Sequence, residues 1–201
     1  MRKRNRAFTM IEILVVIAVL AILMTLLYAG MKYIQNNAKK NSTRVTLQNL
    51  SSMKAELDRV GAKLIWPGTN AAEAIGDSVD ATKVDYSRDP ATAQMTVQTI
   101  VPPIMAQLLN VPENKASFGK LPSNQLAPNN VVLDSWGNPV IYVPPGGLAN
   151  VGLGLKSDGS QIAGIPANTL PIQSPDKKGF WASAGPDGDF SKGDDNLYSF
   201  E

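Results

Sequence analysis

Two groups of carboxylates are the residues of this sequence whose type and placement could do chemistry. Glu12 lies inside an apolar segment that extends to Tyr28. The stretch 185–196 concentrates four more, which are Asp187, Asp189, Asp194 and Asp195. The chain has no His and no Cys, which removes the commonest general base and excludes thiol catalysis and disulfides. We therefore expect no catalytic residues and no enzyme activity, and we weigh charge pairing at Glu12 and cation binding by the Asp residues.

The segment around Glu12 has the length and composition of a membrane-spanning helix. Phe8 to Tyr28 is about 21 residues, which as a helix spans roughly 31 Å, close to the thickness of a hydrocarbon core. An acidic residue costs about 2.5–3.5 kcal/mol at the bilayer centre and less near the ends of the span. Glu12 is therefore either a carboxylate that reaches the lipid headgroups or a buried carboxylate with a positive partner.

Cleavage of the chain between Ala7 and Phe8 would create such a partner. The new α-amine on Phe8 is four residues from Glu12, so the amine and the carboxylate would lie near one face of a helix. Between two helices shifted along a shared axis, the amine of one chain could pair with the carboxylate of the next. That pairing would set the register of an assembly and remove the charge from lipid.

The N-terminal pattern has a known counterpart. A short basic leader, a small residue, Phe-Thr-Met-Ile-Glu and an apolar helix together resemble the processing signal of type IV pilins and type II secretion pseudopilins. The resemblance implies that a prepilin peptidase cuts after Ala7, that Phe8 becomes the methylated N-terminus, and that Glu12 is the assembly carboxylate. Two departures are Ala7 in place of the usual Gly and the absence of Pro from the apolar helix.

Two C-terminal motifs extend the resemblance. Asp-x-Trp-Gly-Asn-Pro before a Tyr-bearing strand, at Asp134–Tyr142, and a Ser-x-Gly-x-Asp-Gly loop within Ser183–Asn196 look like features of the G-type major pseudopilin. That family implies a structural subunit that polymerises into a periplasmic pseudopilus and supports protein export across the outer membrane. Its implied partners are copies of itself, minor pseudopilins, the prepilin peptidase, the inner-membrane secretion platform and membrane lipid.

The acidic stretch is a candidate calcium site. Oxygen ligands at alternating positions with Gly at sharp turns suit Ca²⁺, which takes six to eight oxygens in flexible geometry. The stretch is not an EF-hand, because Lys192 stands where the Gly would be and Tyr198 where the bidentate Glu would be. The resemblance favours a structural Ca²⁺ held by Asp187, Asp189, Asp194 and Asp195, and the alternative is a solvated acidic turn.

Charge predicts the orientation and argues against nucleic acid as a partner. The chain has 19 Lys and Arg against 17 Asp and Glu. Four of the positive charges lie in residues 1–7, so the remainder carries 15 against 17 and is mildly acidic, unlike a nucleic-acid-binding domain. The basic leader predicts a cytoplasmic N-terminus, a single pass through the inner membrane and a periplasmic C-terminal domain.

The predicted fold class is α+β, a pilin fold with a long N-terminal helix packed on a small C-terminal antiparallel sheet. The predicted parts are a leader at 1–7, a membrane and polymerisation segment at 8–30, an amphipathic continuation at 31–61 and a globular domain at 62–201. The helix should be about 50 residues long, with Gly61 as its C′ residue. Its apolar stripe consists of Val45, Leu47, Leu50, Met53, Leu57 and Val60.

The globular part has weaker signals. We expect a short helix at Ala71–Ile75, a surface loop at 77–93, a helix that starts at Pro102-Pro103, irregular chain at 111–130 and a turn at 156–160. Strands are expected at Val131–Leu133, Val140–Val143, Phe180–Ala184 and Asn196–Phe200, with Trp136 and Trp181 in the core.

Alternative functions stay open from the sequence. One is a type IV pilus pilin for adhesion or motility, although the lack of Cys excludes the C-terminal disulfide found in many of them. Another is a membrane-anchored binding module ordered by Ca²⁺, in which the apolar segment is an uncleaved anchor. The start of the mature chain, Phe8 or Met1, separates processing from plain anchoring.

Overall fold

The computed structural model describes residues 10–65, 78–81, 84–85, 95–152, 170–193 and 195–201. The chain divides into two compact units, Met1–Lys39 and Lys40–Glu201. The expected helix at Ala71–Ile75 and the expected turn at 156–160 lie outside the described residues. The predicted part boundaries at residues 7, 30 and 61 stay predictions.

The first element is the predicted long helix. Helix α1 runs from Met10 to Arg59 and has 50 residues. It contains no Pro and a single Gly, Gly30, so nothing removes a hydrogen bond from its interior. It ends in a Schellman motif, in which Gly61 has φ 77°, the Gly61 N–H donates to Asp58 O at 3.0 Å and the Ala62 N–H donates to Leu57 O at 3.2 Å. The predicted helix and its C′ glycine are confirmed.

Within the second unit, the apolar stripe of α1 is narrower than predicted. Its members Leu47, Leu50, Met53 and Leu57 are buried, whereas Val45 is 56% and Val60 51% exposed, so the prediction was wrong at both ends of the stripe. The buried face is extended instead by two hydroxyl residues, Thr43 and Thr46. The Thr46 hydroxyl donates to Gln125 Oε1, and Thr43 Oγ1 accepts from the Ser135 N–H at 3.1 Å. Buried hydroxyls are tolerated because each has a partner.

The middle of the chain is more helical than the sequence indicated. Helix α2 runs from Val97 to Leu109 with Pro102 and Pro103 in its interior, so the prediction that the prolines open the helix was wrong. Prolines inside a helix remove hydrogen bonds, but α2 buries Val101, Ile104, Met105 and Leu108 completely, and this packing favours the helix despite the loss.

The stretch 111–130 was wrongly predicted to be irregular. It contains helix α3, Pro112–Phe118, with Pro112 in the first turn, where its missing N–H is not needed. It also contains two 3₁₀ turns, Ser123–Gln125 and Pro128–Asn130. Short strands occur in the expected surface loop as well, where Val79 is buried. Polar composition misled the prediction because the buried positions are few and widely spaced.

The C-terminal sheet has three antiparallel strands, which are β6 at Ile141–Val143, β8 at Phe180–Ser183 and β9 at Leu197–Tyr198. Strand β8 lies between the other two. The pairing aligns Tyr142 with Trp181 and Ala182 with Tyr198. This confirms the α+β class and the expected strands, which are shorter than predicted. The remaining two-residue strands are β1 at Val79–Asp80, β2 at Val84–Asp85, β3 at Met95–Thr96, β4 at Leu126–Ala127, β5 at Val131–Val132 and β7 at Leu148–Ala149.

These short strands form three pairs outside the main sheet. β1 pairs with β7 and β2 with β3 in parallel, and β4 pairs with β5 in antiparallel orientation. The turn between β5 and β6 is closed by a bridge between Leu133 and Pro139, as the predicted strand-turn-strand requires. Trp181 is buried as predicted and contacts Tyr142 edge-on, with ring centroids 5.2 Å apart, whereas Trp136 is only partly buried.

Truncation of Leu50 tests the contact face of α1. Leu50→Ala removes a fully buried side chain and should lower the free energy of unfolding by about 2–5 kcal/mol. Val45→Ala, on the same helix but exposed, should change it by less than about 0.5 kcal/mol. Urea unfolding of the full chain in detergent, followed by near-UV circular dichroism of the Trp residues, measures both values. Equal losses in the two variants would contradict this contact face.

Candidate functional site

The first unit presents an apolar helix surface. Every large hydrophobic residue of α1 between Met10 and Ile34 is at least 50% exposed. Among the described residues, α1 is the one helix long and apolar enough to cross a membrane. Leaving such side chains in water costs about 1.5–3 kcal/mol each relative to burial. The segment therefore needs lipid or other helices around it.

Glu12 lies in the first turn of α1 and is exposed with its apolar neighbours. In the sequence it is the one charged residue between Phe8 and Met31. Ala7 and Phe8 are outside the described residues, so cleavage between them, methylation of Phe8 and its pairing with Glu12 stay predictions. A carboxylate so placed is suited to pair with a cationic group inside an apolar environment, where an ion pair is screened little.

The acidic stretch forms the loop between β8 and β9. Two of its carboxylates converge on one ammonium group: Lys192 Nζ lies 3.2 Å from Asp187 Oδ2 and 3.4 Å from Asp189 Oδ2. Hydrogen bonds and charge from Asp187, and then from Asp189, raise the pKa of Lys192. Burial opposes ionisation of Asp189, but hydrogen bonds from Ser191 and Lys192 outweigh it and lower the pKa of Asp189. The sequence alone did not indicate this ion pairing by Lys192.

The other oxygens of these carboxylates shape the loop. Asp187 Oδ1 accepts from the Asp189 N–H at 2.9 Å, and Asp189 Oδ1 accepts from the Ser191 N–H and hydroxyl at 3.0 and 2.6 Å. Each side chain thus stabilises a turn with one oxygen and faces Lys192 with the other. Such turns are a common use of Asp in loops, which agrees with the solvated-turn alternative.

Asn196, where the loop ends, adds a buried oxygen. Its Nδ2 donates to Phe190 O at 3.0 Å and to Tyr198 Oη at 3.2 Å. Its Oδ1 is buried and, among the described residues, meets no hydrogen-bond donor. A buried amide oxygen in this state is suited to a cation or a water.

The predicted calcium ligands are only partly brought together. Asp187 and Asp189 face one point, Asp195 lies against Gly185, where an added Cβ would sit 2.4 Å from Asp195 O, and Asp194 is outside the described residues. The described residues contain no group of three or more acidic side chains placed for a metal ion. The four-Asp calcium site therefore stays a prediction.

A buried carboxylate anchors the start of this loop. Asp134 is 1% exposed, and its Oδ1 accepts from the N–H groups of Trp136 and Asn138, both at 2.9 Å. Its Oδ2 accepts from the Ser183 hydroxyl on β8 at 2.7 Å. Burial raises the pKa of Asp134, and the hydrogen bonds from Ser183 and the backbone reduce this effect without reversing it.

The same network reaches Gly185, the first residue of the loop. Ser183 Oγ accepts from the Gly185 N–H at 3.1 Å, and Asn138 Nδ2 donates to Gly185 O at 2.7 Å. The Asp-x-Trp-Gly-Asn-Pro motif therefore holds the acidic loop to the sheet. The sequence showed the motif but not this function, because Asp134 and Ser183 are 49 residues apart.

A cleft of about 270 Å³ lies between α1 and the chain around β8. Its walls carry two ion pairs, Lys54 with Asp58 at 2.8 Å and Lys178 with Asp176 at 3.5 Å. Each lysine is balanced by a carboxylate on its own element, so the described walls present no net charge that would select a charged ligand.

Comparison with known proteins bears on the N-terminal segment. Residues 2–28 match the family described as the prokaryotic N-terminal methylation motif. The chain carries a prepilin-type signal. Together with the exposed apolar helix, this signal supports a structural, pilin-like protein that one segment anchors in the membrane. Proteins with such a signal are in general processed by a prepilin peptidase and self-assemble. Neither the comparison with curated proteins nor that with solved structures gives a significant match.

Substitution of Asp134 tests the loop anchor. Asp134→Ala leaves the part-buried N–H groups of Trp136 and Asn138 and the buried Ser183 hydroxyl without their acceptor, and an unsatisfied buried donor costs about 1–3 kcal/mol. Asp134→Asn keeps an acceptor oxygen and should lose clearly less. Urea unfolding of the full chain in detergent at pH 7 measures both variants. An Ala variant as stable as the Asn variant would contradict the anchor.

Comparison of wild type with Asp134→Asn tests the direction of the Asp134 pKa shift. Because the folded chain binds this proton more tightly than the unfolded chain, the associated stability is fully present below about pH 3.8, the ordinary pKa. It is lost as the pH rises through the raised folded pKa. Wild type should therefore lose stability relative to Asp134→Asn over that pH range, and a gain over it would contradict the raised pKa.

Proposed function

We propose that this protein is a structural subunit of a type II secretion pseudopilus and supports protein export across the outer membrane. The observation that carries the proposal is the methylation motif at residues 2–28, directly on an exposed apolar helix that holds one carboxylate. The α+β fold with a C-terminal antiparallel sheet supports it. The resemblance of Asp134–Tyr142 and Ser183–Asn196 to the G-type major pseudopilin favours the pseudopilus among pilin-like assemblies.

In the proposed order of events, the chain is first inserted into the inner membrane. The basic leader holds the N-terminus in the cytoplasm, α1 crosses the membrane, and the second unit lies in the periplasm. The prepilin peptidase then cuts between Ala7 and Phe8, and Phe8 is methylated. Cleavage removes four positive charges and leaves a single amine close to Glu12 in sequence.

Assembly follows from the apolar surface of α1. Side chains that are exposed between Met10 and Ile34 exchange lipid contacts for contacts with neighbouring copies, so the gain comes from packing more than from leaving water. Glu12 is costly in lipid, and the Phe8 amine of a neighbour offsets that cost at one axial shift only. The pair therefore selects the register of the polymer.

The proposed partners are other copies of the chain, minor pseudopilins, the peptidase, the inner-membrane secretion platform and lipid. We also propose a structural Ca²⁺ in the acidic loop, held by Asp187 and Asp189 with Asp194 and Asp195 as further ligands. The convergence of two carboxylates on the Lys192 ammonium supports a cationic partner at this point of the loop. The ion would order the hairpin of β8 and β9 and would take part in no reaction.

A type IV pilus subunit for adhesion or motility is the second candidate. The methylation motif is expected of both assemblies, so it favours neither. Deletion of the gene separates them, because loss of a secreted protein from the medium supports the pseudopilus, and loss of surface fibres or of twitching with secretion intact supports the pilus. A membrane-anchored binding module would lose neither.

Processing of the leader is the first test. Intact mass spectrometry of the protein purified from its own membranes should give a chain that begins at Phe8 and carries one added methyl group. Ala7→Gly restores the usual small residue and should be cleaved at least as fast in a pulse-chase experiment. A mature protein that still begins at Met1 would support the uncleaved anchor instead.

Removal of the Glu12 carboxylate is the second test. Glu12→Ala should insert into the membrane and be cleaved normally, because it makes the span more apolar, but it should fail to form fibres on overexpression. Glu56→Ala is the matched control, since Glu56 is a carboxylate of the same helix outside the apolar segment, paired with Arg59. Cross-linking in membranes and electron microscopy of sheared fractions measure assembly. Normal fibres from Glu12→Ala would reject the pairing.

A further inference from the structure

A band of basic and aromatic side chains follows the apolar segment of α1. Tyr28 and Tyr33 are 63% and 72% exposed, and Lys32 and Lys39 are exposed as well. All four residues belong to the first unit. Tyrosines at the end of a membrane span lie at the level of the lipid headgroups, where the ring meets apolar and the hydroxyl polar surroundings. We call Tyr28, Lys32, Tyr33 and Lys39 the collar of the span.

The positive charge of the collar has no acidic counterpart on its own helix segment. Residues 13–55 contain no Asp and no Glu. Among the described residues, the ion pairs involve other basic residues, such as Lys54 with Asp58, and neither lysine of the collar. No acidic partner of Lys32 or Lys39 therefore lies in the described part of the chain.

Lys32 directs its ammonium group back toward the apolar segment. Its Nζ lies 4.8 Å from the centroid of the Tyr28 ring, as expected because helical side chains tilt toward the N-terminus of their helix. The ammonium group is therefore at the level of the aromatic side chain that ends the span, which is the level of the headgroups in a bilayer. A phosphate oxygen is the negatively charged group that a lipid offers there.

Lys39 lies on the same face of α1 as Lys32 but further from the span. The two lysines are at positions i and i+7, which share one helix face. Lys39 is about 16 Å beyond Tyr28 along the axis, at 1.5 Å per residue. The headgroup layer is about 5–8 Å thick, and charges interact over about 8–10 Å at physiological ionic strength. Lys32 is thus placed to contact a headgroup, and Lys39 to attract one from a distance.

We propose that the collar binds the anionic headgroups of phospholipids in the leaflet at the carboxyl end of the span. The occupant is lipid because the collar is continuous with a segment that is long and apolar enough to cross a membrane, and because the Lys32 ammonium lies at headgroup depth. The contact fixes the depth of α1 in the bilayer and gathers anionic lipid around the chain. The inference needs the membrane span but not the pseudopilus.

Electron paramagnetic resonance of spin-labelled lipid tests the proposal. The full chain is reconstituted in phosphatidylcholine vesicles, and the association constant of a trace of spin-labelled phosphatidylglycerol is divided by that of spin-labelled phosphatidylcholine. The reference chain should prefer phosphatidylglycerol. The basic leader at the other end of the span would add a preference of its own. Every chain in the comparison therefore carries the leader substitutions Arg2→Gln, Lys3→Gln, Arg4→Gln and Arg6→Gln.

Three further variants locate the preference. Lys32→Gln should lower the ratio by about fivefold, the order expected for one lysine at an anionic membrane surface, whereas Lys32→Arg keeps the charge and should leave it unchanged. Lys39→Gln should lower it by a smaller factor, because this charge is further from the headgroups. Lys115→Gln is the matched control, since it removes an exposed lysine of α3 in the second unit and changes the net charge equally.

Ionic strength separates the two lysines of the collar. An increase from 0.1 to 1 M salt shortens the screening length from about 10 to about 3 Å. This increase should abolish the effect of Lys39→Gln and keep part of the effect of Lys32→Gln. Loss of both effects together would show attraction at a distance only and would overturn the headgroup contact.

The variants give distinguishable results. A larger loss in Lys32→Gln than in Lys39→Gln, with Lys115→Gln unchanged, supports the lipid contact. An unchanged ratio in Lys32→Gln overturns it, and a loss of cross-links between copies in that variant would then assign the lysine to an acidic protein surface. Equal losses with Lys115→Gln also overturn it, because net charge alone explains them. The vesicles contain no peptidase and no secretion machinery, so failure of the pseudopilus proposal would change none of these results.

Discussion

The constraint on which the molecule depends is that one helix must satisfy two different surroundings. In the second unit, Leu47, Leu50, Met53 and Leu57 of α1 are covered by the globular core. In the first unit the apolar side chains from Met10 to Ile34 are exposed and need lipid or neighbouring helices. The same continuous backbone serves both, since it has no Pro in 50 residues. A protein built this way acquires its function from what surrounds its helix, which agrees with a structural role.

Two carboxylates, Glu12 and Asp134, lie among apolar residues. Glu12 is the one charged residue of the apolar segment, and Asp134 is the one buried carboxylate among the described core residues. Asp134 finds its hydrogen-bond donors within its own chain, in two backbone N–H groups and Ser183. In the proposed assembly Glu12 finds its partner on another copy.

The parts that the sequence predicted correctly are those set by local pattern. The long helix, its glycine cap at Gly61 and the strands around Phe180 and Leu197 each depend on uninterrupted runs or on a single backbone preference. Val45 and Val60 were misplaced because they lie at the edges of a stripe, where residue type does not decide exposure. The start of α2 was predicted wrongly because Pro usually lies in the first turn of a helix, which would place the start at Pro102 and Pro103. In this chain, burial of the surrounding side chains favours a helix that begins before the prolines.

The residues of the candidate site could be predicted only in part from the sequence, for a related reason. The motif at residues 2–28 is contiguous, so its residues could be named directly. The loop anchor joins Asp134 to a hydroxyl 49 positions away, and no local pattern reports such a contact. Lys192 lies three residues after Asp189, but in a loop this spacing does not by itself predict an ion pair, and the four Asp residues around it resemble a cation-binding stretch.

The sheet, the aromatic packing and the loop anchor of the second unit all depend on strand β8. Its four residues are all buried, it is the central strand of the sheet, and it supplies Trp181 to the core and Ser183 to the anchor. Opening it would break the sheet, the aromatic packing and the loop attachment together. Its amide protons should therefore exchange with solvent only through global unfolding, which makes this short strand the slowest part of the second unit to open.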